Sequence, residues 1–234
     1  MFYTIKWYFI CENKLNLYYW HDYCTHICMK KMAAILRPET RVVVFDLDGT
    51  LYAKHGMVRR MLVAAPLDWR KMLAERQTRK QLRGKWLRDE KTFYNSYFQT
   101  MALQCSSTPK EMGEWYEKRY MPLMVSVIQQ YYTLAGWVKP FLVECRKRGM
   151  RLVVLSDYGH THEKLEALGL DVELFDWVVS APELGGLKPA SQLMSKVAER
   201  MTVSPSECLV IGDREDTDGE MAKAVGAAFY LVKQ

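Results

Sequence analysis

The chain has 234 residues, of which 49% are hydrophobic and 26% are charged. This composition permits a sizeable core and excludes wholesale disorder, while the length predicts one domain with an insert or two small domains. No run approaches the roughly 18 uninterrupted apolar residues of a membrane-spanning helix. The six cysteines do not suggest a disulfide framework in a chain of this size, so a reducing cytoplasm is the expected compartment.

Residues 1–38 are predicted to be a poorly ordered N-terminal extension, because the regular pattern of apolar runs begins only at Arg41. Met29 or Met32 would serve as an alternative start of the chain. Four side chains of the types that bind zinc cluster in this extension, but their spacing matches no usual structural zinc site. They are His21, Cys24, His26 and Cys28.

Five short apolar runs predict five β-strands, at residues 42–45, 152–155, 177–179, 209–211 and 227–232. Continuous rather than alternating apolar runs indicate strands that are buried on both faces, as in a parallel sheet. Helical patterns separate the later runs, at residues 140–148, 162–168, 192–201 and 215–225. A capping box at residues 204–207 predicts a short helix or turn before the fourth strand. This alternation predicts an α/β fold with a doubly wound sheet.

The first and second predicted strands lie about 110 residues apart, much farther than a simple crossover requires. Helical signals fill residues 58–135, and a capping box at Thr108–Glu111 opens a helix that runs towards Gln130. The sequence therefore predicts a mostly helical insert after the first strand.

The net charge of +6 is concentrated in this insert. Between Lys54 and Lys91, twelve Lys or Arg residues stand against four acidic residues. Basic residues at steps of three and four favour a solvated helix face, although they could also steer an anionic substrate or bind nucleic acid. That set is Arg70, Lys71, Arg76, Arg79, Lys80 and Arg83. We expect no nucleic-acid partner, and Arg59 and Arg60 are the better candidates for binding a substrate.

Side chains that can bind ligands or take part in catalysis follow the ends of the predicted strands. Asp46 and Asp48 stand in DLDGT directly after the first strand, and Ser156 ends the second strand in LSD. Lys188 stands in GLKP before a helix, and acidic residues follow the fourth strand in GDREDTDG. The carboxyl edge of a parallel sheet is where ligands bind, so these groups predict an oxygen-ligand site for Mg²⁺ and a phosphate.

These four motifs, in this order, resemble those of the haloacid dehalogenase superfamily of aspartate-nucleophile phosphotransferases. The resemblance covers about residues 41–233. It implies a Rossmann-like catalytic core at residues 39–56 and 137–234, with a C1-type helical cap at residues 57–136. Only 32 residues separate Ser156 from Lys188, so the larger cap that some members carry at that point is not expected.

The resemblance also implies a role for each motif residue. Asp46 would be the nucleophile that forms an aspartyl phosphate, and Asp48 would be the general acid and base. Ser156 and Lys188 would bind the phosphoryl group, and the neighbouring Asp157 is a further candidate for substrate binding. Mg²⁺ would be held by Asp46, by the carbonyl oxygen of Asp48, and by the acids of the fourth motif, which are Asp213 and Asp218.

The expected activity is hydrolysis of a small phosphorylated metabolite by a Mg²⁺-dependent phosphatase. The presence of Asp48 argues against the dehalogenases, because that branch of the superfamily lacks this acid. A phosphosugar mutase would share all four motifs, and a non-catalytic binding protein on the same fold is the alternative from another class. His160 and His162 are interpreted as surface residues or residues at a helix start.

Overall fold

The computed structural model of the protein describes residues 34–233. The predicted extension up to residue 33, with the histidines and cysteines at positions 21–28, lies outside the described residues. Within residues 34–233, no helix is both long enough and apolar enough to cross a membrane.

Five parallel strands form one sheet in the order β3-β2-β1-β4-β5. Their residue ranges are Val42–Phe45 (β1), Arg151–Ser156 (β2), Trp177–Ser180 (β3), Cys208–Gly212 (β4) and Ala228–Leu231 (β5). β1 is the central strand, and Val43 pairs with Leu152 on one side and with Leu209 on the other. The predicted α/β fold with a parallel sheet is therefore confirmed.

Alternate residues of the central strands pack into two separate hydrophobic clusters. Val43 and Phe45 belong to the larger cluster, while Val42 and Val44 belong to the smaller one. Because both faces of these strands are covered, every position of β1 and β4 is buried. This burial on both faces is the physical reason for the continuous apolar runs in the sequence.

Helices from the segments that follow the strands cover both faces of the sheet. They are Val138–Lys147 (α6), Thr161–Ala167 (α7), Ser191–Arg200 (α8) and Glu220–Ala224 (α9), with a π-helical turn at Glu215–Gly219 before α9. Short 3₁₀ turns lie at Val172–Leu174 and Pro205–Glu207. The predicted capping box at Ser204 and Glu207 is present.

The helical insert, residues 57–131, lies between β1 and β2. Its helices are Met57–Ala64 (α1), Trp69–Leu82 (α2), Glu90–Cys105 (α3), Pro109–Trp115 (α4) and Met121–Tyr131 (α5), with a 3₁₀ turn at Pro66–Asp68 and a π-helical turn at Tyr116–Tyr120. The predicted capping box begins α4, since the Thr108 side chain accepts a hydrogen bond from the Glu111 backbone and Glu111 accepts one from Thr108.

The aromatic residues of the insert lie in two different environments. Phe93 and Trp115 are buried, as helices that pack require, whereas Trp69 and Trp86 are exposed. Leu36 is buried in the larger cluster. The packed part of the chain therefore begins at or before residue 36, ahead of the predicted boundary at residue 38.

A short antiparallel contact, which we name the ribbon, joins residues 84–87 of the insert to residues 185–188 of the loop after β3. Leu87 donates a backbone hydrogen bond to Gly185, and Leu187 donates one to Lys85. A Cβ atom on Gly185, which has a φ of 88°, would lie 2.5 Å from the backbone nitrogen of Asp89. Glycine at position 185 therefore permits the close approach of the two backbones.

Candidate active site

The carboxyl ends of β1, β2 and β4 bring the predicted motif residues to one edge of the sheet. Asp46 follows β1, Ser156 ends β2 and Asp213 follows β4. Because these three strands are parallel neighbours, their ends converge. Lys188 reaches the same place from the loop after β3, where the ribbon holds its backbone.

Asp46 and Asp218 share the buried ammonium group of Lys188. The Lys188 Nζ atom lies 2.7 Å from Asp46 Oδ1 and 2.7 Å from Asp218 Oδ1, while Thr50 donates to Asp46 Oδ2 at 2.8 Å. Burial alone would lower the pKa of Lys188, but the charges of Asp218 and Asp46 raise it well above its ordinary value. Burial raises the pKa of Asp218 to about 7, against the opposing effect of Lys188. Lys188 is therefore a permanent cation beside Asp46.

The carboxylate of Asp48 accepts hydrogen bonds from three side chains. Tyr52 donates to Oδ1 at 2.7 Å, and Oδ2 accepts from Ser156 at 2.9 Å and from Lys164 at 2.6 Å. Burial acts to raise the pKa of Asp48, but the charge of Lys164 and the three hydrogen bonds outweigh it and lower the pKa. Asp48 is thus held rigidly in its ionised form.

Lys164 also contacts Asp48, although none of the sequence motifs predicts it. Its side chain is fully buried, and its Nζ atom also lies 3.1 Å from Ser156 Oγ. A signal for it exists in the sequence, because one lysine interrupts a stripe with the i, i+3, i+4, i+7 spacing of a buried helix face. That stripe is Thr161, Lys164, Leu165 and Leu168. A lysine on such a face needs a buried anionic partner.

A third cation, Lys54, lies against Asp213. Its Nζ atom is 2.9 Å from Asp213 Oδ2 and 2.5 Å from the backbone carbonyl oxygen of Asp48. Gly49, with a φ of 104°, permits this arrangement, because a Cβ atom there would lie 2.3 Å from Asp213 Oδ2. Burial, and then the charge of Asp46, raise the pKa of Asp213.

Three carboxylates could hold a metal ion together. Asp46, Asp213 and Asp218 each offer an oxygen atom, and these oxygens all lie within 4.8 Å of one another. Carboxylate oxygens are hard ligands of the type that Mg²⁺ prefers, and acids this close repel each other unless cations lie among them. The donor set therefore fits Mg²⁺, and Lys188 and Lys54 neutralise part of its charge.

Asp157 contacts the backbone of Lys188. Its Oδ1 atom accepts a hydrogen bond from the backbone nitrogen of Lys188 at 3.0 Å, and burial raises its pKa. Its carbonyl oxygen accepts a hydrogen bond from Arg79 of the insert. Asp157 thus links β2, the loop of Lys188 and the insert.

A cavity of about 440 Å³ opens above these groups, and the structure separates the two predicted substrate-binding arginines around it. Arg59 lines the cavity, whereas Arg60 is not among its lining residues. Arg60 lies over the rings of Tyr131 and Tyr132, 4.9 Å from each centroid, and donates a hydrogen bond to the carbonyl oxygen of His55. The structure therefore brings only Arg59 to the cavity.

The basic residues of α2 do not form a uniformly solvated helix face, so that interpretation is wrong for Arg79. Arg79 binds the buried carboxylate of Glu75 at 2.7 Å, stacks on Tyr158 at 3.8 Å and donates to Asp157. Glu75 also accepts from the hydroxyl of Tyr97 at 2.7 Å. Arg83 is likewise paired, with Asp216 beyond β4. Arg79 and Arg83 therefore join α2 to the segments that follow β2 and β4.

His160 lies at the start of α7, as expected, with a φ of 50°. Its Nε2 atom lies 3.1 Å from a carboxylate oxygen of Glu117 in the insert. It is not among the residues that line the cavity.

Comparisons with known proteins identify the family to which the chain belongs. A sequence profile of the haloacid dehalogenase-like hydrolases matches residues 40–226. A glyceraldehyde 3-phosphate phosphatase from Methanothermobacter thermautotrophicus is 27% identical over 206 residues, which cover 82% of this chain and 85% of the relative. An N-acylneuraminate-9-phosphatase from Rattus norvegicus is 28% identical over 191 residues, which cover 76% of each protein.

Solved structures also share the fold of this chain. A β-phosphoglucomutase from Clostridium difficile matches with a TM-score of 0.59 at 18% identity, over 83% of this chain and 85% of that one. The family profile spans most of the chain, and the motif residues meet at one edge of the sheet. The protein is therefore a member of the haloacid dehalogenase-like hydrolase family of enzymes.

Proposed function

We propose that the protein is a Mg²⁺-dependent phosphatase that hydrolyses a small phosphomonoester through an aspartyl phosphate. One observation carries the proposal: Asp46 and Asp48 line one cavity, and each carboxylate has its own buried lysine. The different environments of the two acids support different chemical roles. The helical segment at residues 57–136 acts as the cap that covers the cavity.

Asp46 is the nucleophile in this proposal. One of its carboxylate oxygens attacks phosphorus, so that a bond between aspartate oxygen and phosphorus forms while the bond to the leaving oxygen breaks. Lys188, 2.7 Å from Asp46, offsets the repulsion between the carboxylate and the incoming phosphoryl oxygens. Thr50 holds the other carboxylate oxygen and fixes the orientation of the group.

Asp48 transfers the protons. The negative charge of the arriving phosphoryl group raises the pKa of Asp48, since like charges disfavour ionisation, so Asp48 takes up a proton from solvent and then gives it to the leaving oxygen. The resulting carboxylate removes a proton from water, whose oxygen attacks phosphorus as the bond to Asp46 breaks. Phosphate is released, Asp48 returns this last proton to solvent, and both aspartates are again ionised. The hydrogen bonds from Tyr52, Ser156 and Lys164 keep the carboxylate in place during both steps.

Asp46, the carbonyl oxygen of Asp48 and Asp213 would hold Mg²⁺, with Asp218 as a direct ligand or one that acts through water. When bound, the ion supplies positive charge that stabilises the oxygens of the phosphoryl group. The close approach of three carboxylate oxygens supports this assignment.

The proposal is tested by assaying the release of inorganic phosphate from a panel of phosphate esters, with Mg²⁺ and with EDTA. Asp46→Asn keeps the shape of the side chain but removes the nucleophile, and we expect turnover to fall on the order of 10⁴-fold or more. Asp171→Asn is the matched control, because Asp171 is exposed, does not line the cavity, and can be replaced by Asn without losing the N-cap hydrogen bond from Glu173. Full activity in Asp46→Asn would show that the nucleophile is assigned wrongly. Conversion of a sugar phosphate without release of phosphate would indicate a mutase.

A further inference from the structure

Basic side chains are concentrated in the wall of the cavity that the insert forms. Arg59 of α1 and Arg76 and Arg79 of α2 line this wall, where Glu75 is the only acidic lining residue that the insert contributes within residues 34–233. The segments that follow the strands contribute the carboxylates of the motifs to the same cavity. An excess of cations in one wall attracts an anion.

Two of these arginines have no partner within the described part of the chain. Arg79 is bound to Glu75 and to the carbonyl oxygen of Asp157, whereas Arg59 and Arg76 take part in no hydrogen bond, ion pair or ring contact. Both are exposed to the cavity and to solvent. Their guanidinium groups are therefore free to bind a ligand without breaking an existing contact.

We propose that Arg59 and Arg76 bind a second anionic group of the substrate, a carboxylate or a phosphate, separate from the scissile phosphoryl group. This inference rests on the proposed function, because the first anionic group is the phosphoryl group that Asp46 attacks. A guanidinium group presents two parallel donors that match either anion.

The cavity also offers apolar surface for a short carbon chain. Four methionines from three helices of the insert line it, which are Met57, Met61, Met72 and Met124. The cavity volume of about 440 Å³ lies within the range of small-molecule sites. The substrate class is therefore a small phosphomonoester with an acidic group at its other end.

A matched pair of esters tests this inference. 3-Phosphoglycerate and glyceraldehyde 3-phosphate have the same carbon skeleton and the same phosphate position, and they differ in a terminal carboxylate against an aldehyde. We expect kcat/KM to be about tenfold to hundredfold higher for the carboxylate, as a charge-assisted hydrogen bond allows. A second pair, 1,3-propanediol bisphosphate and its monophosphate, shows whether phosphate serves as the second anion.

Variants then locate the preference. In Arg59→Gln and Arg76→Gln, and more strongly in the double variant, we expect kcat/KM for 3-phosphoglycerate to fall about tenfold or more while the aldehyde ester changes less than about threefold. Lys80→Gln removes the same charge from an exposed position of α2 that does not line the cavity, and it should leave the preference unchanged. An equal loss for both esters in the arginine variants, or a wild-type preference for the aldehyde ester and the monophosphate, would overturn the inference.

Binding to the full chain carrying Asp46→Asn separates this inference from the proposed function. Titration calorimetry with 3-phosphoglycerate needs no turnover, and we expect its affinity to fall about tenfold when Arg59→Gln and Arg76→Gln are added. If no ester is hydrolysed but this arginine-dependent binding persists, the phosphatase proposal fails and the second-anion site stands. If turnover is present but binding is independent of both arginines, the site is wrong and the phosphatase proposal stands.

Discussion

Removal of the Lys164 side chain should destabilise the fold, because this lysine neutralises a buried carboxylate of the candidate active site. Lys164→Met deletes the ammonium group 2.6 Å from Asp48 and leaves a buried carboxylate with only two hydroxyl donors. We expect the free energy of unfolding to fall by about 3 to 5 kcal/mol, as when one partner of a buried ion pair is lost. Urea denaturation followed by circular dichroism measures this change.

A double-mutant cycle distinguishes lost pairing from lost packing. Adding Asp48→Asn to Lys164→Met removes the stranded charge, so the double variant should be more stable than the sum of the single effects predicts, by about 1 to 3 kcal/mol. Lys223→Met, at an exposed position of α9, is the control for the substitution itself. Strict additivity would contradict an interaction between Lys164 and Asp48.

Lys54 should weaken the affinity of the site for a metal. Its ammonium group contacts the carbonyl oxygen of Asp48 and the carboxylate of Asp213, which are two of the proposed Mg²⁺ ligands. Because the side chain is 43% exposed, the repulsion is partly screened, and we expect Lys54→Met to tighten Mg²⁺ binding about tenfold. Titration calorimetry without substrate measures the change.

The control for Lys54→Met is Lys91→Met, which removes a charge from the same basic segment at an exposed position that does not line the cavity. It should leave Mg²⁺ affinity nearly unchanged. Equal or weaker binding of Mg²⁺ by Lys54→Met would show that this lysine does not compete with the ion.

At the scale of single residues, the sequence predicts what the motifs carry and misses what the tertiary fold brings together. Asp46, Asp48 and Ser156 are predictable because residues at the carboxyl ends of neighbouring parallel strands must converge, and Lys188 is predictable from its motif. The contacts of Lys164 and Arg79 were not predicted, because each spans a long stretch of sequence and depends on how a helix is rotated against the sheet. The roles assigned to these residues stay predictions until they are assayed.

Among the elements of the fold, the ribbon is the one that ties the insert to the loop of Lys188. In Gly185→Ala, the new Cβ atom would lie 2.5 Å from the backbone nitrogen of Asp89, at a residue with a φ of 88°. We expect the free energy of unfolding to fall by about 2 to 5 kcal/mol, because strain of the left-handed backbone adds to overpacking. Because Lys188 lies three residues away, kcat should also fall.

Gly169→Ala is a matched control for Gly185→Ala. Gly169 has a similar φ of 71°, but no atom lies within 4 Å of the position of its added Cβ. The Gly169→Ala variant should lose only about 1 to 2 kcal/mol of unfolding free energy, through backbone strain, and keep its kcat. Urea denaturation and steady-state kinetics compare the two variants, and equal losses in both would show that the ribbon tolerates a methyl group.

The strands, and the helix or turn that each capping box opens, could be predicted because local patterns specify them. β1 and β4 are continuous apolar runs, and Thr108 and Ser204 begin their turns as their motifs require. The ribbon could not be predicted, because residues 84–87 and 185–188 have no strand pattern and pair only once the insert is in place.

For the whole molecule, the concentration of positive charge in the insert predicts a kinetic effect of salt. A field from twelve Lys or Arg residues against four acids should steer an anionic substrate towards the cavity. Raising the ionic strength from about 0.01 to 0.15 M shortens the screening length from about 30 to 8 Å, so kcat/KM should fall about tenfold while kcat changes little.

Replacing Arg70 and Lys91 by glutamine should make this salt dependence shallower, because both residues are exposed members of the basic segment. Steady-state kinetics with a single ester over a series of salt concentrations gives the slope. A flat profile in the wild-type protein would show that the charge of the insert does not guide the substrate.

The two connections of the insert to the sheet meet at one point, since the backbone nitrogen of Ala135 donates a hydrogen bond of 2.8 Å to the carbonyl oxygen of Leu51. A polypeptide that leaves and re-enters at neighbouring positions can be exchanged for another without stretching the remaining chain. Grafting a different helical segment between these residues would then change which substrates the protein selects while keeping the motif residues at the edge of the sheet. The ribbon sets the condition for such a graft, because a replacement that lacks residues 84–87 would leave the loop of Lys188 without its backbone partner.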